Sequence, residues 1–211
     1  MPIPARELAT HGPVIPVIVI EHVDQAVPMA RALVAGGVRV LEVTLRTPAG
    51  LPSIERIARE VPDAIVGAGT VCSVADAQAA ASAGGLFVVS PGFDPDIARA
   101  CVDLDLACLP GVATAGEVMA ARKAGLDFLK FFPAVPAGGI PMLKALHGPF
   151  PDIAFCPTGG LTPQTAGNFL ALPNVLVCGG SWLTPADALA AGDWARVTQL
   201  AQQASALKPV A

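Results

Sequence analysis

Short, nearly continuous apolar runs alternate with longer, Ala-rich segments along the whole chain. The runs cover residues 14–20, 38–45, 64–69, 86–90, 107–109, 128–132, 153–156 and 175–178. Most lack a polar face, as expected of parallel strands covered on both sides. The segments between them carry helix start and stop signals. Asp24 opens 25–35, which stops at Gly36-Gly37; Ser73 opens 74–83, which stops at Gly84-Gly85; Thr114 opens 115–124, which stops at Gly125. A short polar side chain serves the free N–H groups of a first helical turn, and glycine suits the residue after a helix end. Thr162 with Pro163 opens a further helix to about residue 171, Pro being tolerated at the first helical position.

The pattern gives eight βα units of about 26 residues each, close to the minimum for a crossover connection. Eight such units predict a single (β/α)8 barrel, or TIM barrel, spanning residues 1–211, an α/β fold small for its class. The competitor is an open, doubly wound sheet. It calls for a GxGxxG turn after the first strand, where this chain has Glu21-His22-Val23-Asp24.

Composition narrows the functions. Hydrophobic residues make up 53% of the 211 and charged residues 14%, against a usual charged share of about 25%, which excludes a disordered chain. A net charge of -4 and a pI near 5.3 argue against nucleic acid or an anionic membrane as partner. Five cysteines, an odd number without a CxxC pair, predict neither a disulfide framework nor a zinc site. Without HxH, HExxH or an acidic cluster, no metal is expected, and no cofactor. Residues 1–13 lack the apolar core of a signal peptide. The charge-free stretch between Asp152 and Asp187 is broken by Pro157, Gly159, Gly160, Pro163 and Pro173, so no membrane helix fits in it. A soluble cytoplasmic protein is the expectation.

In such a barrel the chemistry sits at the C-terminal ends of the strands. Few reactive side chains fall there. Glu42 interrupts the second run, and period-two geometry puts Glu42, Thr44 and Arg46 on one face, with Glu42 and Arg46 about 13 Å apart on a straight strand. They could serve two ends of a small substrate, or form a structural ion pair. Lys130 is the only lysine within a strand, among Phe128, Leu129, Phe131 and Phe132. Desolvation penalises an ammonium, and a neutral amine can attack a ketone or aldehyde to form a Schiff base. The alternatives are a lysine snorkelling to solvent or a point charge for phosphate. Cys156-Pro157-Thr158-Gly159-Gly160 and Cys178-Gly179-Gly180-Ser181 follow the last two strands as glycine-rich turns, a recurrent phosphate site in this fold. Thr70 and Ser90-Pro91-Gly92 point into the same mouth. His22 follows the first strand and is read as a surface residue, while His11 and His147 lie away from the mouth.

The segment from Gly37 to Arg46 resembles the glutamate signature of the bacterial 2-keto-3-deoxy-6-phosphogluconate (KDPG) and 4-hydroxy-2-oxoglutarate aldolases. The segment from Gly125 to Gly138, with Phe128-Leu129-Lys130-Phe131-Phe132-Pro133-Ala134, is similar to that family's Schiff-base lysine signature. The two glycine-rich turns resemble its phosphate-binding turns, and the resemblance runs from about Pro13 to Pro185. It implies a class I aldolase of the Entner–Doudoroff type of sugar breakdown, metal-free and homotrimeric, releasing pyruvate and glyceraldehyde 3-phosphate. Carried over residue by residue, Lys130 would form the Schiff base and Glu42 would be the general acid and base. Arg46 and Thr70 would hold the pyruvyl carboxylate, with Pro91 and Phe132 lining the pocket. Thr158 would contact the substrate near the new hydroxyl centre, and Gly159, Gly160, Gly180 and Ser181 would bind phosphate. The same residues would serve the galactonate epimer or the phosphate-free 4-hydroxy-2-oxoglutarate. Rivals outside the family are a sugar-phosphate isomerase or epimerase and a non-catalytic phosphosugar-binding barrel.

Overall fold

The computed structural model describes residues 4–207. Strands and helices alternate: β1 (Val14–Ile18), α1 (Ala26–Ala35), β2 (Val40–Thr44), α2 (Gly50–Glu60), β3 (Ile65–Gly69), α3 (Val74–Ser82), β4 (Phe87–Val89), α4 (Pro95–Asp103) and β5 (Ala107–Leu109). Then follow β6 (Gly111–Val112), α5 (Ala115–Lys123), β7 (Phe128–Phe131), α6 (Gly139–His147), β8 (Ala154–Pro157), α7 (Pro163–Leu170), β9 (Cys178–Gly180), α8 (Ala186–Ala191) and α9 (Trp194–Ser205). Every strand pairing is parallel. Six strands, in the order β5-β4-β3-β2-β1-β9, form a half-barrel, and β6-β7-β8 form a second sheet.

Two seams separate the sheets. At one, Pro110 stands between β5 and β6 with no N–H to give, although its carbonyl accepts from Lys130 N–H at 2.9 Å. At the other, β8 and β9 meet only through isolated parallel bridges, Phe155 with Val175 and Thr158 with Gly179. The expected strand at 107–109 is β5, and beyond the proline the chain adds a short strand, β6, that the sequence pattern did not predict.

The run at 175–178 is displaced: β9 begins at Cys178, and Val175 contributes a bridge alone. Gly179 and Gly180 lie in this strand rather than in a turn after it. The reason is space. A Cβ on Gly179 would collide with Thr158 Oγ1, and one on Gly180 with the Trp182 ring.

The helix signals hold at Ser73, whose Oγ accepts from Asp76 N–H, and at Thr114, which shares a reciprocal capping pair with Glu117. Asp24 does not cap α1; it sits in a 3-10 turn, Val23–Gln25, that leads into the helix. Gly37, Gly84 and Gly125 follow α1, α3 and α5 with φ of 89°, 83° and 84°, the left-handed values that end a helix.

Period-two alternation sorts the strand side chains. Leu41 and Val43 of β2 lie beneath helices, as do Leu129 and Phe131 of β7. Val40 and Phe128 instead join an inner cluster with Ile15, Phe87, Leu109, Ala154 and Cys156, to which Leu8 of the 3-10 turn Ala5–His11 is added. The next inward positions are Glu42 and Lys130. The two sheets thus set one charged side chain each, Glu42 from the half-barrel and Lys130 from the second sheet, on top of an apolar floor.

Candidate active site

Glu42 and Lys130 are 2% and 4% exposed, and Lys130 Nζ donates to Glu42 Oε1 at 3.3 Å. Burying two charges costs several kcal/mol each, which this contact offsets in part; removing one partner of such a pair typically costs about 3–5 kcal/mol. The Phe132 ring centroid lies 5.1 Å from Nζ, a cation–π distance. Gly69 makes the carboxylate's place, since a Cβ there would collide with Glu42 Oε1.

Cys156 is the register partner of Lys130 and is fully buried beside it. Burial pushes its thiol up to about 12, against smaller opposing effects of the Thr158 hydroxyl and the Lys130 charge. Cys156 is therefore a neutral thiol at ordinary pH.

Near the pair opens a cavity of about 250 Å³, lined by residues of β1 and β9 and of the segments after β2, β7, β8 and β9. Of the residues singled out from sequence, Arg46, Phe132, Thr158, Gly159, Gly160, Gly180 and Ser181 line it. Glu42 and Lys130 are not on its wall but adjoin it: Glu42 is level with the wall residue Val17, its register partner, and Lys130 pairs with Cys156, two residues before the wall residue Thr158. Gly159 and Gly160 take φ of 103° and 82°, and a Cβ on Gly160 would stand 2.8 Å from Val135, so this turn requires glycine. Thr158 Oγ1 donates to Cys156 O at 3.3 Å.

Arg46 does not pair with Glu42. β2 ends at Thr44, the chain turns, and Arg46 Nε donates to Thr70 Oγ1 at 3.1 Å. Thr70 holds φ of 60°, an unusual and costly conformation for a β-branched residue, of the kind found at binding sites. Pro91 is exposed and outside the cavity wall; its carbonyl packs where a Cβ on Gly111 would stand. His22 lies on a neighbouring cavity. Val17 and Leu161 line the site without having been expected there, since each reads as an ordinary apolar residue. Among the described residues no three His, Cys, Asp or Glu side chains group as metal ligands.

The KDPG and KHG aldolase family model matches residues 6–200. The chain belongs to this family. It is 51% identical over 202 residues to the 2-dehydro-3-deoxy-phosphogluconate aldolase of Pseudoalteromonas atlantica, covering 96% of this chain and 94% of that one. The crystal structure of the KDPG aldolase of Zymomonas mobilis with 3-phosphoglycerate superposes with a TM-score of 0.92 at 47% identity, covering 98% of this chain and 97% of that one. The Legionella pneumophila KDPG aldolase, with pyruvate captured as a covalent carbinolamine, superposes at 0.94 and 42% identity, over 97% of this chain and 99% of that one. As a family member the chain is an aldolase, a carbon–carbon lyase.

Proposed function

We propose that the chain is a class I aldolase that cleaves KDPG to pyruvate and glyceraldehyde 3-phosphate, with Lys130 as the Schiff-base lysine and Glu42 as the proton shuttle. The observation that carries this is the buried Lys130–Glu42 contact of 3.3 Å at the floor of the cavity. A proton passing from Nζ to the carboxylate frees the amine lone pair, which adds to the C2 ketone. Glu42 returns the proton to the departing hydroxyl, and water leaves to give a protonated imine. This cation accepts the electron pair of the C3–C4 bond when Glu42, directly or through a water, takes the C4 hydroxyl proton. The aldehyde is released; the enamine is protonated at C3; hydrolysis frees pyruvate and the lysine.

The walls suit the rest of the substrate. Arg46, oriented by Thr70, meets the planar carboxylate, with Phe132 against the pyruvyl carbons. Thr158 faces the carbon that bears the new hydroxyl. Gly159, Gly160, Gly180 and Ser181 offer backbone N–H groups and a hydroxyl to the phosphate. The Pro110 seam and the β8–β9 bridges support reading the two sheets as one (β/α)8 ring in a single domain. Among the described residues no helix is long and apolar enough to cross a membrane. On the family resemblance we propose a cytoplasmic homotrimer needing no cofactor.

Borohydride reduction with pyruvate, followed by mass spectrometry, tests the mechanism. One reduced pyruvyl adduct on Lys130, absent from Lys130→Met, is expected. An adduct elsewhere, or none on the folded protein with pyruvate in excess, would sink it. An isomerase would form no reducible imine.

A further inference from the structure

A second cavity, of about 470 Å³, adjoins the first, and Val17 and Ser181 line both. Its other walls come from the segment after β1, with Val19, Glu21 and His22, and from α8, with Leu189 and Ala190. These walls are tied together. Gln25 Nε2 donates to Leu189 O at 3.2 Å, and Gln25 Oε1 accepts from His22 N–H at 3.3 Å. Both ends of one amide are thereby committed to holding the space open, so a ligand need not pay to form it.

The two arms of this mouth differ in chemistry. The smaller arm has the Arg46 guanidinium, glycine backbone and the Thr158 and Ser181 hydroxyls, and no carboxylate on its wall. The larger is walled by Val17, Val19 and Leu189, carries the Glu21 carboxylate, and has no Lys or Arg. An anionic group is attracted to the first and repelled by Glu21 in the second, whereas an alkyl chain gains burial chiefly in the second. The arms meet at Val17, the register partner of Glu42, and so beside the reacting atoms.

We infer that the larger arm is a subsite for the tail of uncharged aliphatic acceptor aldehydes in the bond-forming direction. The inference rests on the Schiff-base reading above. The enamine of pyruvate on Lys130 attacks the aldehyde carbonyl carbon, and the carbonyl oxygen takes a proton from Glu42. Hydrolysis of the imine then releases a 4-hydroxy-2-oxo acid with its alkyl tail. His22 and Glu21 stand at the rim of this arm, where a tail emerges.

The test is acceptor kinetics with pyruvate and propanal, butanal, pentanal, hexanal or glyceraldehyde 3-phosphate. Two fillers, Ala186→Phe and Ala190→Phe, are made separately; both positions are exposed on α8 and outside the proposed catalytic groups. In the unmodified protein kcat/KM should rise along the alkyl series. Each filler should lower it for hexanal by about tenfold or more and change it for glyceraldehyde 3-phosphate by less than about twofold, the sensitivity usual for apolar pockets. A flat alkyl series overturns the inference, as do fillers that spare hexanal or that weaken both acceptors alike. Failure of the aldolase reading is distinct: no acceptor condenses and borohydride fixes no pyruvate on Lys130.

Discussion

Replacing Gly69 by Ala tests the geometry of the floor without removing a reacting group. The new Cβ would collide with Glu42 Oε1 and would stand 2.6 Å from Cγ and 2.9 Å from Cδ, where ordinary contact begins at 3.4 Å. β3 is paired on both sides, with β2 and β4, so the backbone has little room to yield and the carboxylate must move. A shift of about 1 Å carries the 3.3 Å contact with Lys130 Nζ beyond hydrogen-bonding range. Overpacking of this kind costs about 1–3 kcal/mol, and a misplacement of about 1 Å can cost on the order of 10² in rate. In a chain of this size about 1 kcal/mol corresponds to about 2–4 °C in Tm. The expected variant therefore folds, melts several degrees lower, and shows kcat for KDPG cleavage reduced about 100-fold with KM little changed. A coupled assay of glyceraldehyde 3-phosphate release, run beside thermal unfolding, reads both. A Gly69→Ala protein with lowered Tm but normal kcat would refute the placement of Glu42 as the proton shuttle.

Three further outcomes are expected. Glu42→Gln keeps the shape of the floor but cannot carry a proton, and kcat should fall by on the order of 10²–10⁴; an unchanged kcat would assign the proton transfers elsewhere. Ser181→Ala removes a hydroxyl from the proposed phosphate cradle and should raise KM for KDPG about tenfold, as befits a hydrogen bond to a charged group. KM for 4-hydroxy-2-oxoglutarate should stay put, and equal effects on both would move the phosphate to another place. The third concerns pH. The Ala113 N–H above all, with Thr114, holds the Glu117 carboxyl below its usual value. A depressed folded-state value means that its stabilisation is complete above the ordinary carboxylate range and is lost as pH falls through the folded value. Glu117→Ala should thus lower Tm at neutral pH and converge with the unmodified protein in acid; a gap that persists in acid would contradict the capping argument.

The alternation of β2 and β7 made Glu42 and Lys130 visible in the sequence, because each breaks an apolar run at an inward position. Their contact was not visible. They lie 88 residues apart on strands that are not hydrogen-bonded neighbours, so only the curvature of the sheets brings them together. The expected span from Glu42 to Arg46 assumed a straight strand, and β2 ends before Arg46 is reached. The last strand was misplaced because glycines carry no strand signal of their own; Gly179 and Gly180 are strand residues since Thr158 and Trp182 leave no room for a side chain. Val17 belongs to the same class of omission. An apolar residue becomes a wall only when the neighbours across it are known.

The apolar plug beneath Glu42 and Lys130 sets the order of traffic. Leu8, Val40, Phe87 and Phe128 fill the space under the pair, which closes the approach from below. In the proposed reaction the three-carbon acid is tethered at the bottom of this blind well, while the aldehyde lies nearer the opening. The aldehyde must then depart before the proton and the water that liberate pyruvate can descend. In synthesis the queue runs backwards: pyruvate boards first, and an aldehyde arriving early blocks the shaft. In that reaction, release and entry share the open side of the floor.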